Sequence, residues 1–137
     1  MKKILFLCTG NSCRSQMAEG WAHKLLKGKC EAYSAGVETH GMNPRAVRVM
    51  QEAGVDISQH QSKLVDQLPP GTFDCVYTVC DHAAASCPSY LDTKKTIHIP
   101  FDDPPKLTAD LKDEEQVLAV YRRVRDEIRQ FVSKIDE

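Results

Sequence analysis

Stretches typical of strands alternate along the chain with stretches in which apolar residues recur at helical spacing. The strand-like stretches lie at 3–7, 31–36, 73–79 and 96–99. Helical spacing predicts helices at 15–27, from Pro44 to about Ala53, at 62–68 and, as the last element, at 113–134. Because strands and helices alternate, we predict an α/β fold whose parallel sheet is covered by helices on both faces.

Capping residues indicate the ends of two of these helices. Asn43 and Pro44 have the residue types of an N-cap and of a first helical position, and Gly54 follows the last apolar position of that helix. Asp113 is placed to cap the final helix, whose apolar residues share one face. Both helices are therefore expected to begin at defined residues.

The residues that follow the strands are the first candidates for a functional site. Parallel α/β sheets bind their ligands at the carboxyl ends of the strands. Cys8, Cys80 and the segment after Ile99 all fall at such ends. We therefore expect three segments that are distant in sequence to be neighbours in the fold.

Length and charge narrow the class of protein. The chain has 137 residues, which fits one domain over 1–137. Its 18 basic and 19 acidic side chains leave a formal charge of −1, which gives no overall field for nucleic acid or an anionic membrane. No apolar run approaches the roughly 20 residues of a membrane span, and the first residues do not form a signal peptide. We expect a cytoplasmic monomer that binds neither nucleic acid nor membrane.

Six cysteines are present: Cys8, Cys13, Cys30, Cys75, Cys80 and Cys87. In a chain without an export signal such thiols stay mostly reduced, and they become candidates for chemistry. Their spacing lacks the tight pairs of a zinc site, and the five histidines show no ligand-like arrangement, so we predict no metal site. Cys30 and Cys75 are expected to be structural.

The strongest chemical signal is the octapeptide CTGNSCRS at 8–15, which lies between an apolar strand and a helix. Five residues separate Cys8 from Arg14. A loop of this length can curl so that its backbone N–H groups point inward, and the helix adds its positive N-terminal end. Arg14 can hold two oxygens of a tetrahedral oxyanion, and the same field favours the thiolate form of Cys8. The pattern predicts an oxyanion site with a nucleophile at its base.

The predicted oxyanion-binding residues form one continuous stretch, namely Thr9, Gly10, Asn11, Ser12, Cys13, Arg14 and Ser15. Asn11 is expected to hold the loop through side-chain bonds to the backbone, and Ser15 to donate a hydrogen bond to the Cys8 sulfur. Either side chain could instead only cap a turn or a helix. Cys13 could be an alternative oxidation partner or a residue that packs within the loop.

This loop near the N-terminus, with Leu7 rather than histidine before the cysteine, resembles that of the low-molecular-weight protein tyrosine phosphatases. Within that fold the chain is similar to the thioredoxin-coupled arsenate reductases nearly from end to end. The matching stretches are CTGNSCRSQMAEGW at 8–21, YSAG at 33–36, ETHG at 38–41, NP at 43–44, FDDP at 101–104 and RVRDEI at 123–128. The resemblance implies a four-stranded parallel sheet and the reduction of arsenate to arsenite in arsenic detoxification, with thioredoxin as partner and no cofactor.

The same resemblance gives roles to Cys80 and Cys87, which frame residues 81–86 after the third predicted strand. Reduction of arsenate takes two electrons, and a relay of thiols can supply them by ending in a disulfide. The resemblance implies that Cys8 attacks arsenate, that Cys80 attacks Cys8, and that Cys87 attacks Cys80. The alternative is structural, with Cys80 at a strand end and Cys87 in a turn.

Asp103 is the general acid that the resemblance implies, because it immediately precedes Pro104. A neutral carboxylic acid at this position can protonate the oxygen that leaves arsenate. Asp102 could exchange roles with Asp103, or both could belong to a solvated turn.

One departure from some relatives concerns Lys63. The resemblance places an acidic residue there, which forms a potassium site with the counterparts of Asn11, Glu19 and Ser34. We hypothesise that the Lys63 ammonium takes over the cationic role. The alternative is that Lys63 is only an exposed lysine.

Two other functions remain open on the residues alone. A phosphatase acting on phosphotyrosine or small phosphoesters is the first, because phosphate and arsenate are similar tetrahedral oxyanions. Pro105 argues against it, since such phosphatases usually place an aromatic residue there. The second is an oxyanion-binding or thiol-sensing module without turnover, which would not need Asp103.

Overall fold

The structure is a computed structural model, and it describes residues 1–79 and 93–135. Within these ranges the strands are β1 (Lys2–Cys8), β2 (Cys30–Gly36), β3 (Cys75–Thr78) and β4 (Thr96–His98). They form one sheet in the order β2-β1-β3-β4, and every neighbouring pair is parallel. The prediction of a four-stranded parallel sheet is confirmed.

The described helices are α1 (Arg14–Leu25), α2 (Pro44–Glu52), α3 (Pro104–Leu107) and α4 (Glu114–Val132), with a short 3₁₀ helix at Val65–Gln67. The helix predicted at 62–68 shrinks to that 3₁₀ turn because Ser62 and Lys63 donate hydrogen bonds to the 8–15 loop instead. The short helix α3 is not predicted from the sequence. It tolerates two consecutive prolines because they occupy its first turn, where backbone N–H groups have no helical partner.

The capping residues act as the sequence predicts. The Asn43 side chain accepts hydrogen bonds from the N–H groups of Arg45 and Ala46 at the start of α2. Asp113 accepts from the N–H of Glu115 at the start of α4. These bonds satisfy donors that the first helical turn leaves without partners.

The central strand β1 is the most buried part of the sheet. Its residues Ile4 to Leu7 are each at most 1% exposed. Helices α1 and α4 pack on each other, and the indole N–H of Trp21 in α1 donates to the carbonyl of Arg125 in α4. Burial on this scale holds the carboxyl end of β1 in a defined place, and Cys8 lies at that end.

Among the described residues, no helix is both long and apolar enough to cross a lipid bilayer.

Candidate active site

Cys8 ends the central strand, and the following loop leads directly into α1 at Arg14. The pairing of β1 with β2 places Cys8 beside Gly36, and the pairing with β3 places Leu7 beside Thr78. Three strand ends therefore meet around the Cys8 side chain, which is only 5% exposed. This is the edge of the sheet at which the sequence predicts a ligand site.

The loop after Cys8 turns its carbonyl oxygens away from its own centre. Four consecutive carbonyls accept hydrogen bonds of 3.0–3.2 Å from groups outside the loop. They belong to Thr9, Gly10, Asn11 and Ser12, and the donors are the backbone N–H groups of Glu38, His40 and Asn43 and the side chain of Gln16. In a trans peptide the N–H points opposite to the C=O, so the N–H groups of these peptide units point to the other side of the loop. Such a row of inward N–H groups attracts an anion.

Asn11 is fully buried and makes several of the hydrogen bonds that hold this loop. Its backbone has a positive φ of 49°, a region that asparagine enters more readily than most residues. Its side-chain amide donates to Ser15 Oγ at 2.9 Å, and its carbonyl oxygen accepts from Gln16 Nε2 and from the N–H of Lys63, each at 2.9 Å. These bonds agree with the predicted supporting role of Asn11, and they hold the loop in its left-handed turn.

Two glycines allow neighbouring segments to approach the loop. A Cβ atom on Gly36 would lie 2.5 Å from the carbonyl oxygen of Glu38 and 2.7 Å from that of Thr9. A Cβ atom on Gly10 would lie 2.4 Å from the imidazole of His40. A larger residue at position 36 would push the loop away from the end of β2, whereas one at position 10 would displace the His40 side chain.

Arg14 is fixed at the side of the loop by contacts from a distant segment. Its Nη1 donates to the carbonyl of Phe101 at 3.0 Å, and its Nη2 lies 3.5 Å from the carboxylate of Asp103. The Arg14 side chain is 13% exposed, so its charge is partly shielded from water. By contrast, Asp102 points outward and pairs with Arg123 at 3.1 Å. The geometry favours Asp103 over Asp102 as the carboxyl group of the site.

A pocket of about 350 Å³ opens over the loop. Its lining includes most of the residues that the sequence singles out, namely Cys8, Thr9, Gly10, Ser12, Cys13, Arg14 and Asp103. Asn11 and Ser15 are fully buried and support the loop from behind. Pro105 lines the pocket as well, at the position where the related phosphatases place an aromatic residue, and so do His40 and Lys106, to which the sequence gives no role. His40 follows β2, so the rule that ligands bind after strand ends is the signal that points to it.

Cys13 is buried within the loop, and burial raises the pKa of its thiol to about 12. A thiol with so high a pKa is a poor nucleophile at neutral pH. This favours the packing role of Cys13 over the role of an alternative oxidation partner. Cys30 and Cys75 are also buried, in agreement with their expected structural roles.

Lys63 lies where its charge can serve the loop. Its ammonium is 3.5 Å from Oε1 of Glu19, and the Ser34 hydroxyl donates a hydrogen bond to the same oxygen. Its backbone N–H is bonded to the Asn11 side chain. A protein cation therefore lies next to the Glu19 carboxylate.

The predicted cysteines Cys80 and Cys87 lie outside the described residues. The residue before Cys80 in the sequence is Val79, whose N–H donates to the carbonyl of Leu7 at 3.0 Å. The carbonyl of Val79 accepts from the N–H of Phe101 at 3.1 Å. Val79, the last described residue before Cys80, is therefore hydrogen-bonded to Leu7, the residue that precedes Cys8.

The histidines differ from the sequence expectation. His23 and His60 are distant in sequence, yet their rings meet edge to face with centroids 5.6 Å apart. Together with Glu19 they form a group of possible metal ligands. The expectation that no histidines have a ligand-like arrangement is wrong for this pair, because the loop after α2 folds back against α1.

This chain is similar to a known protein family, to individual proteins and to solved structures over nearly its whole length. The family described as low molecular weight phosphotyrosine protein phosphatase matches residues 3–137. An arsenate reductase of Halalkalibacterium halodurans is 52% identical over 136 residues, which cover 99% of this chain and 96% of that protein. One from Bacillus subtilis is 49% identical over 127 residues, covering 93% and 89% respectively. A solved structure described as an arsenate reductase in the phosphate binding state has a TM-score of 0.82 at 32% identity, covering 98% of this chain and 96% of that one.

Proposed function

The chain belongs to the low molecular weight phosphotyrosine protein phosphatase family, and within it we propose that the protein reduces arsenate to arsenite through a relay of cysteines. The observation that carries the proposal is that Cys8, Arg14 and Asp103 line one pocket over an anion-binding loop. The similarity to proteins named arsenate reductase, at about half of all positions, favours arsenate among the tetrahedral oxyanions.

In the first step the Cys8 thiolate attacks the arsenic of bound arsenate. A sulfur–arsenic bond forms, and an arsenic–oxygen bond breaks. The proton of Asp103 goes to the departing oxygen, which leaves as water or hydroxide. Arg14 and the N–H groups of the loop stabilise the charge on the remaining oxygens. Arsenic is still pentavalent at this stage.

In the second step Cys80 attacks the Cys8 sulfur. The sulfur–arsenic bond breaks and its electron pair stays on arsenic, which leaves as trivalent arsenite. The two thiols lose two electrons and form a Cys8–Cys80 disulfide. The two electrons gained by arsenic are thus balanced by the oxidation of two thiols to one disulfide.

In the third step Cys87 attacks Cys80, and Cys8 leaves as a thiolate. The oxidising equivalent now resides in a Cys80–Cys87 disulfide, and Cys8 is free for another turnover. A protein dithiol of the thioredoxin class reduces this disulfide and itself becomes oxidised. The reaction needs no bound cofactor because the thiols carry all of the electrons.

The second candidate is hydrolysis of phosphoesters at the same pocket. A relative solved in a phosphate binding state supports the view that such a loop accepts phosphate. Pro105 lines the pocket, where an aromatic side chain would be needed to stack on a phosphotyrosine ring. We therefore expect only a weak phosphatase activity.

The test is arsenate-dependent oxidation of NADPH in the presence of thioredoxin and thioredoxin reductase. The wild type turns over repeatedly, and Cys8→Ser is inactive. Asp103→Asn lowers kcat by about 10²–10⁴-fold, the usual contribution of a general acid. Asp102→Asn is the matched control, because its carboxylate pairs with Arg123 on the surface, and it retains the wild-type rate.

The same preparation is assayed with p-nitrophenyl phosphate. Hydrolysis of this ester without any response to arsenate would overturn the proposal and show that the protein is a phosphatase. A protein that binds phosphate but turns over neither compound would instead be a binding module.

A further inference from the structure

Behind the oxyanion loop, three side chains bring together atoms that can bind a metal. Glu19, His23 and His60 each offer one ligand atom, and these atoms lie within 4.8 Å of one another. Glu19 and His23 are four residues apart on α1 and so share a face of the helix. His60 reaches the same place from the loop that follows α2. This group plays no part in the proposed reaction.

The hydrogen bonds of Gln16 determine which nitrogen of His60 is available. Gln16 Nε2 donates to the backbone and side-chain oxygens of Asn11 and to the carbonyl of Gln61. The other end of the amide is therefore an oxygen, and it lies 3.0 Å from His60 Nδ1. His60 Nδ1 must carry a proton that it donates to this oxygen. In the neutral ring the lone pair is then on Nε2.

That arrangement is typical of histidines that bind metal. A metal-binding histidine usually donates its second ring N–H to an oxygen, which fixes the tautomer and the orientation of the ring.

The two oxygens of the Glu19 carboxylate have different neighbours. Oε1 accepts from Ser34 and lies 3.5 Å from the Lys63 ammonium. Oε2 lies 3.5 Å from His23 Nε2, which is longer than a hydrogen bond. His23 Nε2 lies 3.0 Å from the carbonyl oxygen of Ala32, to which it donates a hydrogen bond. The His23 side chain is 48% exposed, and metal binding exchanges this hydrogen bond for a bond to the cation.

The two histidines of this cluster border a cavity. A cavity of about 350 Å³ is lined by His23 and His60, together with Lys24, Asp56 and neighbouring residues. It is separate from the pocket that contains Cys8. Tetrahedral coordination by ligands at about 2.0–2.1 Å places ligand atoms about 3.3 Å apart, so the three ligand atoms, which lie within 4.8 Å of one another, must move closer together when the ion binds.

We propose that Glu19, His23 and His60 form a binding site for a zinc-like divalent cation, with water as the remaining ligand. Two imidazole nitrogens and one carboxylate oxygen are a donor set that zinc accepts in proteins with an open fourth position. The site is joined to the oxyanion loop by the hydrogen bonds from His60 to Gln16 and from Gln16 to Asn11.

Lys63 lies close enough to the proposed cation to lower its affinity. Its ammonium and the cation both approach the carboxylate of Glu19, so they repel each other. Removal of this ammonium in Lys63→Met should therefore tighten metal binding several-fold. A cation bound elsewhere on the protein would not respond to this substitution.

The experiment measures Zn²⁺ affinity by competition with a chromophoric chelator, after accessible thiols have been blocked with iodoacetamide. His60→Gln and His23→Gln each weaken binding at least about tenfold, since even partners outside the first coordination sphere contribute about 10–100-fold. His98→Gln, on β4, is the matched control and binds as the wild type does. Circular dichroism checks folding, and the exposed His23 provides a variant whose fold is not at risk.

A second measurement identifies the ligands directly. Co²⁺ bound at this site gives visible d–d absorption without the near-ultraviolet thiolate charge-transfer band, and His23→Gln removes that absorption. Equal Zn²⁺ affinity in the wild type, His23→Gln and His60→Gln would overturn the proposal. So would a Co²⁺ spectrum dominated by thiolate ligands, or the absence of binding to the wild type.

Discussion

The carboxylate of Asp103 lies 3.5 Å from the guanidinium of Arg14, although Asp103 occupies the N-cap position of α3. An aspartate at an N-cap normally accepts a hydrogen bond from the first turn of its own helix, and Asp103 makes no such bond. Pro104 and Pro105 begin α3 and supply no N–H donors. The prolines thus start the helix while the carboxylate remains directed at the pocket.

Replacement of Arg14 by lysine tests the geometry of this pair. The ammonium of Arg14→Lys cannot contact Phe101 and Asp103 and also present two parallel N–H donors to an oxyanion. We expect kcat/KM for arsenate to fall by about 10²–10³-fold, the range found when a donor that stabilises the transition state is lost. Arg122→Lys on α4 is the control, since Arg122 pairs with the carboxylates of Glu52 and Glu115 and does not line the pocket. An Arg14→Lys enzyme with wild-type kcat/KM would refute the role given to the guanidinium.

The close approach of β2 to the loop predicts that Gly36→Ala damages the site. The added methyl group would lie within 2.7 Å of two carbonyl oxygens, so the backbone must shift. Overpacking of this kind costs about 1–3 kcal/mol, and the melting temperature should fall together with the affinity for inorganic phosphate. Gly28→Asn is the control, because Gly28 has no atom within 4 Å of its missing Cβ and asparagine tolerates its φ of +82°. Unchanged phosphate affinity in Gly36→Ala, measured by calorimetry, would contradict this account of the loop.

The buried thiol of Cys13 predicts a stability loss at alkaline pH. Burial raises its folded-state pKa from an ordinary value of 9.0 to about 12. The unfolded chain therefore releases this proton first, and the folded state loses stability as pH rises from the ordinary value towards the folded one. The loss is about 1.4 kcal/mol per pH unit for one proton.

Serine does not titrate in this range, so Cys13→Ser lacks the contribution. The difference in unfolding free energy between the wild type and Cys13→Ser should shrink as pH is raised above about 9, the ordinary thiol pKa, in urea titrations. A difference that stays constant across the interval would show that Cys13 is not a buried thiol of raised pKa.

The ammonium of Lys63 predicts that activity is insensitive to potassium. It already lies 3.5 Å from the Glu19 carboxylate, so an added monovalent cation gains no open site there. Arsenate turnover should stay the same when sodium is replaced by potassium at constant ionic strength. In Lys63→Ser the carboxylate loses its cation, and potassium should then restore part of the lost activity. A several-fold stimulation of the wild type would mean that Lys63 does not replace the ion.

Local sequence signals predict the elements that depend on neighbouring residues. The apolar run of β1 and the caps Asn43 and Asp113 act within a few residues of their own positions, and the structure agrees with each of them. The motif from Cys8 to Arg14 is equally local, because the strand, the loop and the helix N-terminus follow one another in the chain. These features can therefore be predicted from the sequence without knowledge of the packing.

Contacts between segments that are distant in sequence cannot be predicted in this way. His60 meets His23 only because the segment after α2 packs against α1, and His40 enters the pocket only because β2 lies beside β1. The short helix α3 is missed because two prolines and two aspartates are also typical of a turn. In each case the deciding interaction joins residues far apart in sequence.

The relay of three cysteines is the central claim, and counting the arsenite released per enzyme molecule tests it most directly. With thioredoxin, thioredoxin reductase and NADPH present, the wild type should release many equivalents of arsenite. Cys87→Ser can still form the Cys8–Cys80 disulfide, but it cannot pass that disulfide on to a second pair. We predict that Cys87→Ser releases one equivalent and then stops, while repeated turnover by Cys87→Ser at the wild-type rate would contradict the relay.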